Sequence, residues 1–146
     1  MARDNEEEDS LLFKKIHVFR VKPGQELLNK ITSYCQKCEI KSGVVIGIIG
    51  SVKKAQLNFL KELPGKYDSV DYNGPLEIVC AQGSIAIKND TSIIHIHIQL
   101  SGQDACSGGH LAKAIVFSTA EVTIGELDYQ LRRQTDSYTG LNELLD

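Results

Sequence analysis

The sequence predicts an α+β domain: a mostly antiparallel β-sheet carrying one long packed amphipathic helix. Three observations lead there. Many strand-sized apolar segments are joined by short connections marked by glycine, proline or asparagine. Only one long stretch, Glu26 to Cys38, carries apolar groups at helical spacing (Leu27, Leu28, Ile31, Tyr34, Cys35, Cys38). Between Ile93 and Ile98, isoleucine and histidine alternate with the two-residue period of a strand. Many strands with short connections and one helix favour an antiparallel sheet over a doubly wound one.

Taken in order, residues 1–10 read as a disordered acidic tail and residues 11–146 as a single domain. Phe13 to Val21 is a first strand, supported by Ile16, Val18 and Arg20. Pro23-Gly24 turns the chain into the helix. The β-branched run Gly43 to Val52, broken by Gly47 and Gly50, reads as a strand that continues from Ala55 to Leu60. Pro64-Gly65 marks a turn, and Lys66 to Tyr72 a further strand. Asn73-Gly74 is the strongest hairpin signal in the chain. It separates that strand from Pro75–Cys80, with Ser84–Ile87 pairing back. Asn89-Asp90 leads into the histidine strand, Thr91–Leu100, and Ser101 to Gly109 reads as a loop. Leu111–Phe117 and Glu121–Glu126 read as two strands joined near Ser118-Thr119. The last ten residues, with Leu141, Leu144 and Leu145, suggest a short docking helix.

The charge balance narrows the function. There are 16 basic against 19 acidic residues, a formal net charge of −3. Five of the acids (Asp4, Glu6, Glu7, Glu8, Asp9) and only Arg3 fall in the first nine residues; removing them leaves 15 basic against 14 acidic. Neither part has the concentrated positive charge of a nucleic-acid surface. The N-terminus shows no secretory leader, no aliphatic run has the length of a membrane span, and four cysteines read as reduced thiols. A cytoplasmic protein without membrane contact is the expectation.

Three of the four histidines, His95, His97 and His110, fall within one 16-residue window. On a strand, His95 and His97 leave the same face roughly 7 Å apart. A third imidazole from a neighbouring segment would complete a three-nitrogen site for zinc or another divalent metal, one per subunit, leaving a fourth position open. The other reading is a polar cluster that lines an interior or a subunit interface without metal. Glu77 and Glu121, on polar strand faces, are candidates to orient an imidazole or to act as a further ligand, and Cys106 lies in the segment leading to His110. The Gly108-Gly109 pair allows either a tight turn or a close backbone approach.

Other motifs carry less. Cys35-Gln36-Lys37-Cys38 has the CxxC spacing, but at the end of its helix, away from the helix N-terminus that favours a thiolate. It reads as small core groups. No glycine pattern cradles a phosphate, so no nucleotide cofactor is expected. Lys53-Lys54 and Arg132-Arg133 read as solvated faces. No serine sits in a nucleophile elbow. A zinc-bound water would give hydrolase or lyase chemistry, yet nothing picks a reaction, and a non-enzyme is the first reading.

Taken together, these residues resemble a family. Phe19-Arg20 through Pro23-Gly24, Gly43 to Gly50, Gly74-Pro75-Leu76-Glu77-Ile78-Val79, His95-Ile96-His97, Gly108-Gly109-His110-Leu111 and Ala120-Glu121-Val122 are similar in order and spacing to the plant and prokaryote conserved (PPC) domain. That domain is best known from plant AT-hook nuclear-localised proteins, and the likeness runs from about residue 12 to 133. The resemblance implies a small α+β domain assembled as a homotrimer, with the histidines close to a subunit boundary where some members hold metal. It also implies a partner-binding role for the segment Gly74–Val79. There the glycine, glutamate and isoleucine match the plant pattern, whereas the arginine and phenylalanine are replaced by Pro75 and Leu76. A DNA-associated regulatory or protein-interaction module is the alternative the family offers. The Arg-Gly-Arg core that enters an AT-rich minor groove is missing from this chain.

Overall fold

The structure is a computed structural model that describes residues 12–145; the acidic tail read at residues 1–10 lies outside the described residues. The elements are β1 (Phe13–Val21), α1 (Leu27–Lys37), β2 (Gly43–Glu62), β3 (Lys66–Lys88), β4 (Thr91–Ser101), β5 (Cys106–Leu127), β6 (Arg133–Thr135) and β7 (Asn142–Leu144). The main sheet runs in the order β1-β5-β2-β3-β4 and every pairing in it is antiparallel. Because β4 also pairs with β5, strands β5, β2, β3 and β4 close into a ring. The architecture of the described residues is thus a mostly antiparallel sheet with a single helix, as expected.

The helix is shorter than expected. It has 11 residues, about 16 Å at 1.5 Å per residue. Glu26 caps its start by accepting from the amides of Leu28 and Asn29. It ends because Glu39 turns left-handed (φ 56°) while the Ile40 amide donates back to the Cys35 carbonyl. Leu27, Ile31 and Cys35 are buried, but Cys38, read as a core group, is exposed. The helix buries its stripe against the ring interior, beside Val45, Ile48, Leu57, Ile85, Ile96, Leu111, Val116 and Ile124. Burial of such side chains contributes about 1.5–3 kcal/mol each.

Three expectations are corrected by long-range pairing. Asn73-Gly74 makes no hairpin. Val52 pairs with Leu76 and Lys54 with Asn73, so Gly74-Pro75 stand against Lys53 alone as a bulge inside one continuous β3. A Cβ on Gly74 would meet the Val52 carbonyl oxygen at 2.3 Å, which leaves room only for glycine. Likewise Ser118-Thr119 joins no separate strands. Gly50 pairs with Ala120 and Val52 with Val116, so residues 117–119 bulge opposite Ser51 within β5. Gly50 sits at φ 145° with its missing Cβ 2.0 Å from the Thr119 oxygen, and the Ser51 and Ser118 hydroxyls bond at 2.6 Å. Finally, the C-terminal residues form the β6–β7 hairpin instead of a docking helix. The Asp136 carboxylate accepts from the amides of Tyr138 and Thr139, and Gly140 is left-handed (φ 68°), which turns the chain before a helix can start.

Candidate metal centre

The site is built by the ring closure. Along β4, buried Ile96, Ile98 and Leu100 point to the core, so His95 and His97 leave the outer face. In the β4–β5 pairing, His97 stands directly opposite His110. Cross-strand partners leave the sheet on the same face, and the third imidazole therefore meets the first two. Ring centroids lie 5.0 Å apart for His95 and His97, 4.9 Å for His95 and His110, and 5.7 Å for His97 and His110. One nitrogen from each ring can be chosen so that all three lie within 4.8 Å of one another.

The glycines before His110 are strand residues and form no loop; this corrects the sequence reading of Gly108 and Gly109. Gly108 pairs with Gln99 and Gly109 with Ile98. A Cβ on Gly108 would stand 3.1 Å from the Ile98 carbonyl oxygen, and one on Gly109 3.1 Å from Cε1 of Phe59. Their smallness admits neighbours closely on both sides. The loop between β4 and β5 is reduced to residues 102–105, closed by Gly102 N–H donating to the Ala105 carbonyl.

Electrostatics prepares the imidazoles as ligands. Burial, with the neighbouring His110, His97 and Arg133 charges, pushes His95 down to about 4. Burial and His97 also lower His110. Both rings are therefore neutral at pH 7 and carry the free lone pair that a metal needs. Three imidazoles around one tetrahedral centre, with metal–nitrogen distances of about 2.0–2.1 Å, stand roughly 3.3 Å apart. The observed spacing, within 4.8 Å, exceeds that by at most about 1.5 Å. The donor set fits zinc or a similar divalent ion.

The other candidate residues lie elsewhere. Glu77 shares a rung with Ser101, and Ser101 pairs with Cys106. Ser101 is four residues beyond His97, which separates that rung from His97 by about 13 Å. Glu77 and Cys106 are both exposed there. Glu121 pairs with Arg20 and Ile49 at the far end of β5. The segment Gly74–Val79 forms the bulged middle of β3, with Ile78 buried and Val79 exposed.

Sequence reasoning missed three neighbours of the cluster. Tyr67 brings its ring to 6.3 Å from that of His110. Ser84 pairs with His95 across β3 and β4. Arg133, read as part of a solvated face, is half-buried and donates to the Ser84 hydroxyl (2.8 Å) and the Asn142 carbonyl (2.6 Å). Histidine spacing was the only signal in the sequence, and these groups arrive by tertiary contact. The fourth histidine, His17, is buried on the opposite side of the sheet, between the Tyr34 hydroxyl (3.2 Å) and Glu126 (3.1 Å).

Comparison with known proteins places the fold. The family description "Plants and Prokaryotes Conserved (PCC) domain" matches residues 9–128. The chain belongs to this family. The PCC likeness extends to solved structures. A metal-containing protein from Archaeoglobus fulgidus is 27% identical, with a TM-score of 0.87 over 94% of this chain and 97% of that one. A plant- and prokaryote-conserved protein from Pyrococcus horikoshii is 26% identical, with the same TM-score over 94% and 96%. The bifunctional protein GlmU of a Synechococcus strain is 27% identical over 135 residues, 89% of this chain. This PCC chain spans only 20% of that relative's length. Among the described residues, no helix is long and apolar enough to cross a membrane.

Proposed function

We propose that this PCC-domain chain is a metal-binding protein in which His95, His97 and His110 hold one divalent cation, zinc in the first instance. The observation that carries the reading is the convergence of three ring nitrogens within 4.8 Å, made by a strand pair and a cross-strand register. Two of the three rings are held neutral by their surroundings. The likeness to a metal-containing archaeal protein over nearly the whole chain supports it. Bound there, zinc would act as a Lewis acid with an open coordination position. The chain's own residues supply the neutral imidazoles, the register that aims them and the partial burial that limits water.

The same reading places the site at or near a boundary between three copies of the chain. An assembly is supported by the apolar residues that β1 and β2 expose, Ile16, Val18 (68%), Ile46 and Ile49 (60%). That patch lies at the Glu121 end of β5, away from the histidines, so the placing of the site at the boundary rests on the family resemblance alone. The reading of a DNA-associated module meets a net charge of −3 and no Arg-Gly-Arg core.

The test is elemental analysis of tag-free protein purified without chelators, beside a His95→Ala/His97→Ala variant. Near one metal per chain in the parent and none in the variant is the expected result. Metal-free parent that takes up no zinc on dialysis would overturn the reading and leave a polar cluster. Sedimentation analysis at low micromolar concentration tests the assembly, and a monomeric mass would remove it.

A further inference from the structure

We propose that Arg133 makes the three-histidine site selective for small oxyanions, carboxylate or phosphate, held jointly by the cation and the guanidinium. The inference rests on the metal-binding reading above and extends it to the class of companion ligand.

The Ile87 amide donates to the Leu131 carbonyl at 2.8 Å, and Ile87 bridges to Arg132, which lays the chain after β5 against the end of β3. The next residue, Arg133, then reaches the Ser84 hydroxyl at 2.8 Å. Ser84 stands opposite His95, and such partners carry their side chains on one face with Cβ atoms about 4.5–5.5 Å apart. The guanidinium is therefore brought to the edge of the histidine cluster, while Tyr67 adds a phenol beside His110.

Arginine stays protonated in proteins. Among the described residues, no carboxylate forms an ion pair with Arg133; the ion pairs present involve Lys14, His17, Lys61 and Lys66. The three ligands are neutral side chains with no acid among them. A divalent cation in the site would keep both charges and add them to that of the guanidinium. An anion is the companion that this field favours.

The Arg133 side chain also has unused hydrogen-bonding capacity. A guanidinium has five N–H donors. Ser84 and Asn142 accept two. The Nε atom is buried without any partner, so the donors left for an incoming anion are the second N–H groups of the two terminal nitrogens. An oxyanion has several acceptor oxygens and the planar geometry, in carboxylates, that a guanidinium binds through two parallel bonds. A purely structural clamp between β3 and β7 would use the two bonds already made and would not respond to anions.

The experiment uses the whole chain loaded with cobalt(II), whose visible spectrum reports the ligands of a tetrahedral site. Cobalt content is measured first. Acetate and phosphate are then titrated in separate arms, with perchlorate as a weakly bonding control. The parent should show a saturable spectral change with acetate, phosphate or both, and the arm that responds names the oxyanion. Arg133→Gln should hold equal cobalt and bind the same anion roughly 10- to 100-fold more weakly, the scale of a lost charge-assisted bond. Ser84→Ala, which keeps the charge but frees the guanidinium, should weaken it severalfold; it carries the test if Arg133→Gln does not fold. Unchanged anion affinity in these variants, or a loaded parent that ignores both oxyanions, overturns this proposal and leaves the metal reading standing. No cobalt uptake by the parent overturns both.

Discussion

His97 and His110 face each other as a direct cross-strand pair of β4 and β5, with ring centroids 5.7 Å apart. Twelve residues lie between them in sequence, and the register alone brings them together. Removing either ring should therefore remove the site without disturbing the core, because His97 is exposed and His110 half-buried. Losing an outer partner of a ligand already weakens metal affinity 10- to 100-fold. His97→Ala and His110→Ala should each weaken zinc binding by roughly 100-fold or more. Competition with a chromophoric chelator measures this, and unfolding curves of the metal-free variants should stay close to the parent's.

Gly109 is predicted to tolerate no side chain without movement at the site. A Cβ there stands 3.1 Å from Cε1 and 3.2 Å from Cζ of Phe59, and 3.4 Å from the Asn58 carbonyl oxygen. Asn58 pairs with His110 on the other side of β5. Gly109→Ala should destabilise the chain by about 1–3 kcal/mol, the usual scale of overpacking. It should also weaken metal binding. A Phe59→Leu/Gly109→Ala double variant should recover part of the stability, as read by urea unfolding.

Glu26 holds more than its own helix. Its carboxylate accepts from Leu28 and Asn29 at the helix start and, at 3.0 Å, from the Ala114 amide of β5. Caps contribute about 0.5–2 kcal/mol, and the β5 amide would lose its acceptor as well. Glu26→Ala should cost about 2–3 kcal/mol in chemical unfolding, and Glu26→Gln less. A loss of only about 0.5–1 kcal/mol, within what the cap alone supplies, would show that the contact to β5 contributes nothing.

The sequence made local periodicity legible and left register hidden. The alternation that defined β1 gave its bounds, Phe13–Val21, and the paired positions of His95 and His97 gave their common face. Yet in β1 the apolar Ile16 and Val18 turn outward, while His17, Phe19 and Val21 face inward, because the helix supplies Tyr34 to stack on Phe19 at 3.8 Å. Asn73-Gly74 and Ser118-Thr119 carry turn chemistry that a long partner strand absorbs as bulges. Leu141, Leu144 and Leu145 have helical spacing, but Gly140 and Asp136 turn the chain into a hairpin first. His110 was a candidate only by proximity in sequence, since its return depends on β4–β5 pairing. Arg133 gave no signal, because its importance lies in contacts with Ser84 and Asn142 far along the chain.

A pH dependence follows from the buried carboxylate of Glu126. Lys14 donates to one of its oxygens at 2.9 Å and His17 bonds the other at 3.1 Å. The Lys14 bond first, and the His17 bond after it, hold this carboxyl below its ordinary value of 4.5. In the unfolded chain the group takes up a proton near 4.5, whereas the folded chain resists it to lower pH. Below that point the unfolded state binds more protons, so stability must fall as the medium is acidified. The stabilisation is complete above about pH 5 and is lost as pH drops through the folded value. Glu126→Gln should therefore be less stable than the parent by about 1–3 kcal/mol at pH 7, the scale of a broken buried bond to a charged group. The gap should narrow as the pH falls below 4.5 and through the folded value. Lys14→Ala should move the Glu126 titration upward toward its ordinary position. Urea unfolding of metal-free protein at pH 7, 5 and 3, with carboxyl titration followed by NMR, measures both. A gap between parent and Glu126→Gln that persists unchanged at pH 3 would show that the contribution comes from packing and not from the carboxylate's charge.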